Sequence, residues 1–501
     1  MQQLDLLLVS IPPSYINEPS LAPALLKGAV ESHGFSCKTL DFSLECFKTV
    51  FEKNYEKYLK WCDVLPDHYD WKKVTTQQLA DIDRATDLFI TWLLKYNPKY
   101  VGISVFSFWQ QRFCYFLCKK IKQTIFDGKV IIGGMGCQHR PVGLIDLSYV
   151  STIDSMSSFA KFMQKNKLVD HAILNDGELE ILDILQNQTK NPAHRSEVPL
   201  DYDFIPNFDD YNLDDYFFIE NKKKLLIQGS KGCVRKCVFC SEHSNYSKFY
   251  YKSGTAIAEE MIKLSNKYHI YKFQFTDSLV NGSLSQFKEM IKKLATYNQE
   301  NVDKKITWHG NYICRSKNTL TDHDFQTMKL SGAHGLTIGA ESGSNRVLHE
   351  MKKQSTVEDL EYEISKFEKF GIDCSLLFMM GFYSEQWEDF MDTLRLFKRL
   401  QRYFFTGTIS AVRCGYTLSI SDWAHIDATK FVCESDNAYD WLYLPNPTLT
   451  IKERVRRRII AQEFCDRLHI PVTYAQQDLL VLDAIYNNNS KDILALDHGH
   501  N

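Results

Sequence analysis

No stretch of this 501-residue chain approaches the roughly 18 uninterrupted apolar residues that a membrane-spanning helix needs. The N-terminus, Met1-Gln2-Gln3-Leu4-Asp5, carries no basic segment ahead of the short apolar run Leu6 to Val9, so it does not read as a secretory leader. Neither sign of charge is in excess: the formal net charge is -3 with acids and bases interleaved, and no global field draws in a polyanion or an anionic membrane. Nucleic acid is therefore not implied, and no membrane partner is expected. With 44% hydrophobic and 24% charged residues, disordered, fibrous and repeat-built classes are excluded as well. The expectation is a folded cytoplasmic protein, long enough for three domains. Cysteine is not scarce, and in such a compartment the fourteen thiols read as reduced, with a metal-binding minority rather than a disulfide framework.

Hydrophobic patterning predicts an α/β chain. Leu4 to Ile11 suits a strand buried on both faces, the helix Leu21 to His33 stops at Gly34, and Ser36 to Phe42 resumes strand character. After a charged, aromatic-rich and helical insertion from Glu45 to Lys95, strand Tyr100 to Phe106, helix Arg112 to Ile125 and strand Lys129 to Ile132 complete an N-terminal doubly wound parallel sheet over residues 1–191. Residues 192–221, rich in Pro, Asp, Asn and Tyr, read as a connection. Strands are next expected at Leu225 to Gln228, Lys272 to Thr276, Ile306 to His309, Gly335 to Gly339, Cys374 to Met380 and Gly407 to Val412, alternating with helices as in a central partial (β/α)6 TIM-type barrel over 222–415. A small, mostly helical C-terminal cap over 416–501 follows, containing the helix Ile451 to Leu468.

The sharpest feature lies just after the strand Leu225 to Gln228. Gly229-Ser-Lys-Gly-Cys233-Val-Arg-Lys-Cys237-Val-Phe239-Cys240 offers thiols in the spacing C-x3-C-x2-C from one loop. Such a triad suits a [4Fe-4S] cubane, whose fourth iron stays open for a ligand. Gly229 and Gly232 let the loop wrap closely, and Lys231, Arg235 and Lys236 are expected to offset the anionic cluster. The alternative is a structural zinc site, but that wants four ligands, and no second C-x2-C knuckle or H-x3-H follows.

This motif and its surroundings resemble the radical S-adenosylmethionine superfamily. Downstream come Phe275-Thr-Asp277-Ser, Cys314-Arg315, Gly339-Ala-Glu341-Ser342-Gly343-Ser344 with Val347-Leu348 and Met351-Lys352, and Phe378-Met-Met-Gly381-Phe, similar to the branch that carries an N-terminal cobalamin-binding domain. The resemblance implies that Cys233, Cys237 and Cys240 hold the cluster. Phe239, Arg315, Glu341, Ser342 and Gly381 would then contact S-adenosylmethionine, with Gly339 and Gly343 admitting the backbone. It also implies reductive cleavage of S-adenosylmethionine to methionine and a 5′-deoxyadenosyl radical, an electron donor such as flavodoxin or ferredoxin, and a small-molecule or peptide substrate.

In a doubly wound sheet ligands bind outside the carboxyl ends of the strands. There the sequence places Ser10 to Pro13, Ser104 to Phe108, Gly133-Gly134 and Asp176-Gly177-Glu178. Their order resembles a cobalamin-binding domain, which implies that Ser10, Pro12, Ser104, Gly133, Gly134, Gly177 and Glu178 line a cobalamin seat. The D-x-H-x-x-G loop of many cobalamin proteins is missing, so no lower axial histidine is offered, and His139 reads as a surface residue. The favoured reaction is methylation of an unactivated carbon. The alternatives are a cobalamin-independent radical oxidation, rearrangement or methylthiolation, and a non-catalytic iron-sulfur or zinc protein. The basic run Glu453 to Arg458 is expected to be a solvated helix face, and most aromatic rings to fill the cores.

Overall fold

The computed structural model describes residues 3–14, 16–64, 75–138, 158–174, 177–187, 201–202, 204–216, 223–240, 242, 246, 248–415, 427–433 and 441–474. The chain forms two compact units, Met1–Glu197 with Tyr202–Leu226, and Val198–Asp201 with Ile227–Asn501.

In the first unit β1 (Leu6–Ser10), β2 (Cys37–Asp41), β3 (Tyr100–Ser104), β4 (Lys129–Gly133) and β5 (His171–Ile173) build one sheet in the order β2-β1-β3-β4-β5, with every neighbouring pair parallel. All five residues of β1 are buried, as its unbroken apolar run requires when both faces are covered. The helix Leu21–Ser32 ends at His33 and Gly34, and the described residues of the insertion are mostly helical, as expected. Its helix Thr76–Tyr96 opens with a capping box between Thr75 and Gln78 and closes on left-handed Asn97. Phe51, Tyr58 and Trp61 form a ring cluster with centroids 5.0 to 6.3 Å apart. Residues 204–216, expected as a connection, dock on this unit: Asn207 N–H donates to the Ala24 carbonyl at 2.8 Å, and the Asp210 carboxylate accepts from Thr39 N–H at 2.9 Å and from buried Lys27.

The second unit carries β6 (Leu225–Ile227), β7 (Ser230–Lys231), β8 (Tyr250–Tyr251), β9 (Lys272–Phe275), β10 (Thr307–His309), β11 (Asn311–Tyr312), β12 (Leu336–Glu341), β13 (Cys374–Met379), β14 (Ile409–Gly415), β15 (Phe431–Cys433), β16 (Trp441–Tyr443) and β17 (Val472–Tyr474). Two sheets run β10-β9-β6 and β11-β12-β13-β14-β17, and only Gly310 separates β10 from β11. Helices Gly254–Tyr268, Leu284–Glu300, Asp322–Leu330, Val357–Phe370 and Trp387–Phe405 alternate with the strands. Edge-to-face contacts of Trp308 with Phe275 at 5.7 Å and Phe287 at 6.2 Å fill the space between strand and helix. Short antiparallel pairs β7-β8 and β15-β16 complete the unit. Among the described residues, no helix is long and apolar enough to cross a membrane.

Candidate functional site

The loop after β6 presents Cys233, Cys237 and Cys240. It turns at Gly232, whose φ of +80° and whose approach to the Lys248 carbonyl, 2.7 Å from where a Cβ would sit, admit no side chain. Cys240 N–H donates to the Cys237 carbonyl at 3.1 Å, Arg235 N–H donates to Cys233 Sγ at 3.3 Å, and Val238 N–H donates to the Met351 carbonyl at 3.1 Å. Burial pushes all three thiols up, Cys237 to about 11; Cys233 and Cys237 are raised further by neighbouring thiols, while the Lys353 ammonium opposes the rise at all three. Among the described residues, no three His, Cys, Asp or Glu side chains converge tightly enough to share one ion. A cubane needs no such convergence, because it seats each thiolate on a different iron. Three mutually interacting soft sulfurs beside a buried cation fit that group.

The ammonium that reaches all three sulfurs is that of Lys353, which the sequence reading passed over in favour of Lys231, Arg235 and Lys236. Arg235 is otherwise engaged: its Nη1 donates to the carbonyl and Oε1 of Gln354 at 2.9 and 2.7 Å, and Lys236 is exposed. Two adjacent lysines in Lys352-Lys353 look alike in sequence, and only the fold turns one inward.

Glu341 closes β12 with a left-handed backbone, φ +62°, at an irregularity in the β12-β13 register. Its carboxylate accepts from Lys353 Nζ at 2.8 Å, both side chains being buried. Gly339 and Gly343 admit the protein's own atoms. A Cβ on Gly339 would fall on the Glu341 carboxylate and 2.6 Å from Lys353 Nζ, and one on Gly343 would sit 2.5 Å from Thr393 Cα. Ser342 is buried, its hydroxyl accepting from Ser344 N–H at 3.1 Å and lying 3.5 Å from Thr393 Oγ1. Arg315 donates from its guanidinium to the carbonyls of Asn281 and Gly282, the latter at 2.9 Å, and its N–H reaches Glu363 at 3.2 Å. Phe239 is half-buried in the cysteine loop. Asp277 is buried under that loop, accepting from Gly229 N–H at 2.8 Å and the Ser230 hydroxyl at 2.7 Å, and burial pushes its carboxyl up to about 7.

Gly381, φ +77°, belongs to a further group. Its N–H donates to Glu385, and a Cβ there would meet Arg454 Cγ at 2.7 Å. Burial pushes the Glu385 carboxyl up to about 7 against the pull of Arg457, 3.5 Å away. The expected solvated basic face is overturned here. Arg454, Arg457 and Arg458 are buried, Arg454 lies 3.8 Å over the Trp441 ring, and Arg457 donates to Glu453 at 3.0 Å, because the helix Ile451–Arg467 packs against strand ends instead of facing water.

In the first unit Ser10, Ser104 and Gly133 lie in register across β1, β3 and β4, so three strand ends stand side by side. Pro12 is buried just beyond, and Gly134, φ +107°, begins the loop after β4. Gly177 and buried Glu178 open the helix Gly177–Leu185. Two residues that the sequence did not single out organise this edge. Gln110 donates to the Ile11 carbonyl at 2.5 Å and accepts from Phe106 N–H at 2.6 Å, and half-buried Asp41, next to Ser10 in register, accepts from the Tyr216 hydroxyl at 2.9 Å. His139 and Asp176 lie outside the described residues.

An uncharacterized methyltransferase of Pyrococcus horikoshii is 26% identical over 330 residues, 63% of this chain and 67% of its own length. The cytidylyl-2-hydroxyethylphosphonate methyltransferase of Streptomyces wedmorensis is 23% identical over 380 residues, 68% of this chain and 69% of its own. The fold is shared with the radical S-adenosylmethionine methyltransferase TsrM of Kitasatospora setae, solved with tryptophan substrate and a SAM analog bound, at a TM-score of 0.57 and 14% identity over 83% of this chain and 73% of that one. It is shared too with the cobalamin-dependent radical enzyme OxsB, solved with aqua-cobalamin bound, at a TM-score of 0.56 and 14% identity, the match covering 80% of this chain and 52% of that one. Residues 227–397, which contain the cysteine loop, Asp277, Arg315, Glu341, Lys353 and Gly381, match the family model of the radical SAM superfamily.

Proposed function

We propose that this enzyme is a cobalamin-dependent methyltransferase acting on an unactivated carbon of a small molecule or peptide. The observation that carries the reading is the loop of Cys233, Cys237 and Cys240 beside the buried Lys353–Glu341 pair. The strands β6, β9, β10 with β11, β12, β13 and β14 support a partial (β/α)6 barrel within 222–415, with 416–501 as its cap. In the first unit, read as 1–191 with 192–221 as the connection, the order β2-β1-β3-β4-β5 supports a doubly wound sheet whose ligand crevice opens where the order reverses, between β1 and β3. Ser10, Ser104 and Gly133 line that edge, and with Pro12, Gly134, Gly177 and Glu178 they are the residues assigned to cobalamin.

The cluster, when bound, supplies the electron that cleaves the sulfonium of S-adenosylmethionine. The residues of this chain bind, orient and exclude water. Cys233, Cys237 and Cys240 would hold the irons; Phe239, Arg315, Glu341, Ser342 and Gly381 are assigned to S-adenosylmethionine, with the Glu341 carboxylate as acceptor for a ligand N–H. An external one-electron donor such as flavodoxin or ferredoxin completes the scheme. Methylated product with a methyl group drawn from S-adenosylmethionine, corrinoid in the purified protein, and 5′-deoxyadenosine release by wild type but not by Cys237→Ala are the expected results of anaerobic reconstitution. Zinc in place of iron, with no 5′-deoxyadenosine, overturns the reading. Release of 5′-deoxyadenosine from corrinoid-free protein would transfer support to a cobalamin-independent radical reaction.

A further inference from the structure

Lys353 is 8% exposed, and lysine is almost never buried unless paired. The backbone that turns it inward is unusual. Lys352 and Gln354 on either side are both left-handed at φ +56°, and Glu341, its partner, is left-handed at φ +62°. Non-glycine residues in this region cost of order 1 kcal/mol each and cluster where a side chain must be aimed. The turn is also tied to the cysteine loop: Arg235, in the spacer between Cys233 and Cys237, donates to Gln354, and Val238 N–H donates to the Met351 carbonyl at 3.1 Å. Lys353 N–H in turn donates to the Leu348 carbonyl at 3.0 Å. Cysteine loop and lysine turn are therefore held as one piece.

An ion pair with Glu341 alone does not account for this construction, since a buried pair is often no more stabilising than apolar residues of similar size. The groups acting with Lys353 are Glu341, Cys237, Cys233, Cys240 and Cys314, all of them anionic when ionised. We infer that Lys353 is a positioning residue whose ammonium sets the reduction potential of the cluster held by Cys233, Cys237 and Cys240, with Glu341 as the opposing charge. The inference rests on the cluster reading above. Reduction of the cluster adds one electron and one negative charge. A fixed cation nearby favours the reduced form, and a fixed anion disfavours it. Lys353→Gln therefore lowers the potential and Glu341→Gln raises it, whereas a merely structural role moves both variants the same way or neither.

Wild type, Lys353→Gln, Lys353→Arg and Glu341→Gln are reconstituted anaerobically, their iron is counted, and the cluster signal is followed by electron paramagnetic resonance in a potentiometric titration. The expected shift is about tenfold or more in the reduction equilibrium, about 59 mV for one electron, downward in Lys353→Gln and upward in Glu341→Gln, with Lys353→Arg near wild type. Should Lys353→Gln fail to take up iron, Glu341→Gln decides alone. An unchanged potential in Glu341→Gln or Lys353→Gln, or shifts of the same sign, overturns the inference while leaving the cluster in place. Wild-type protein that takes up no iron defeats the cluster reading itself.

Discussion

Replacing Asp277 by alanine removes the tie beneath the cysteine loop. The carboxylate accepts from Gly229 N–H at 2.8 Å and the Ser230 hydroxyl at 2.7 Å, in a position 3% exposed. Truncation orphans the Gly229 donor completely, at about 1 to 3 kcal/mol. The Ser230 hydroxyl keeps a second acceptor, the Leu279 carbonyl at 3.2 Å, so its loss adds only about 1 kcal/mol. The total, about 2 to 4 kcal/mol, is a roughly 30- to 1,000-fold drop in the folding equilibrium. Asp277→Asn keeps an acceptor for Gly229 and should cost less than about 1 kcal/mol. The two variants also separate by pH. Because burial pushes the folded carboxyl up to about 7, the folded chain keeps a proton that the unfolded chain releases above the ordinary carboxylate range. That contribution is complete at low pH and is lost as pH rises through about 7, so wild type loses stability across this window and Asp277→Asn lacks that loss. Urea unfolding at pH 5 and pH 8, with iron counted after anaerobic loading, measures both effects. An Asp277→Ala protein within about 1 kcal/mol of wild type, or parallel pH profiles for wild type and Asp277→Asn, would refute the reasoning.

Three further outcomes are expected. Gly232→Ala, forced to φ +80° with its Cβ 2.7 Å from the Lys248 carbonyl, should bind clearly less iron per chain than wild type, read by iron assay. Arg457→Met leaves Glu385 and Glu453 without their buried cation and should cost about 3 to 5 kcal/mol in urea unfolding, whereas exposed Arg456→Met should cost less than about 0.5 kcal/mol. Glu363, pushed up to about 8 by burial despite its bonds to Arg315 N–H and the Tyr312 hydroxyl, contributes stability that is lost as pH climbs toward 8; thermal melts of Glu363→Gln at pH 6 and pH 8 should differ less than those of wild type.

The strands of both units were legible because they are short apolar runs punctuated by glycine, and the observed β1, β3, β4, β9, β12 and β13 lie within a residue or two of where that punctuation puts them. β5 and β17 were not, since His171–Ile173 and Val472–Tyr474 are too short to carry a period and exist because a neighbouring strand offers them an edge. The cysteine loop was legible from spacing alone. The charge acting on it was not, because Lys352 and Lys353 differ only in the backbone angles that a turn imposes. The arginines of the helix Ile451–Arg467 misled for a related reason. A basic run with weak apolar periodicity reads as a wet surface, and only Trp441, Glu385 and the strand ends reveal that three of its guanidiniums are enclosed.

The parallel pairing of β17 with β14, Val412 opposite Val472 and Cys414 opposite Tyr474, means that Val472–Tyr474 are woven into the sheet and not laid over it. A polypeptide stopped after Gly415 would leave the outer edge of β14 from Val412 to Cys414 as bare amide and carbonyl, a template for adhesion between molecules. It would also strip Arg454 from Gly381. The sheet of the second unit thus gains its outermost described strand only from residues that follow the helix Ile451–Arg467 in the chain.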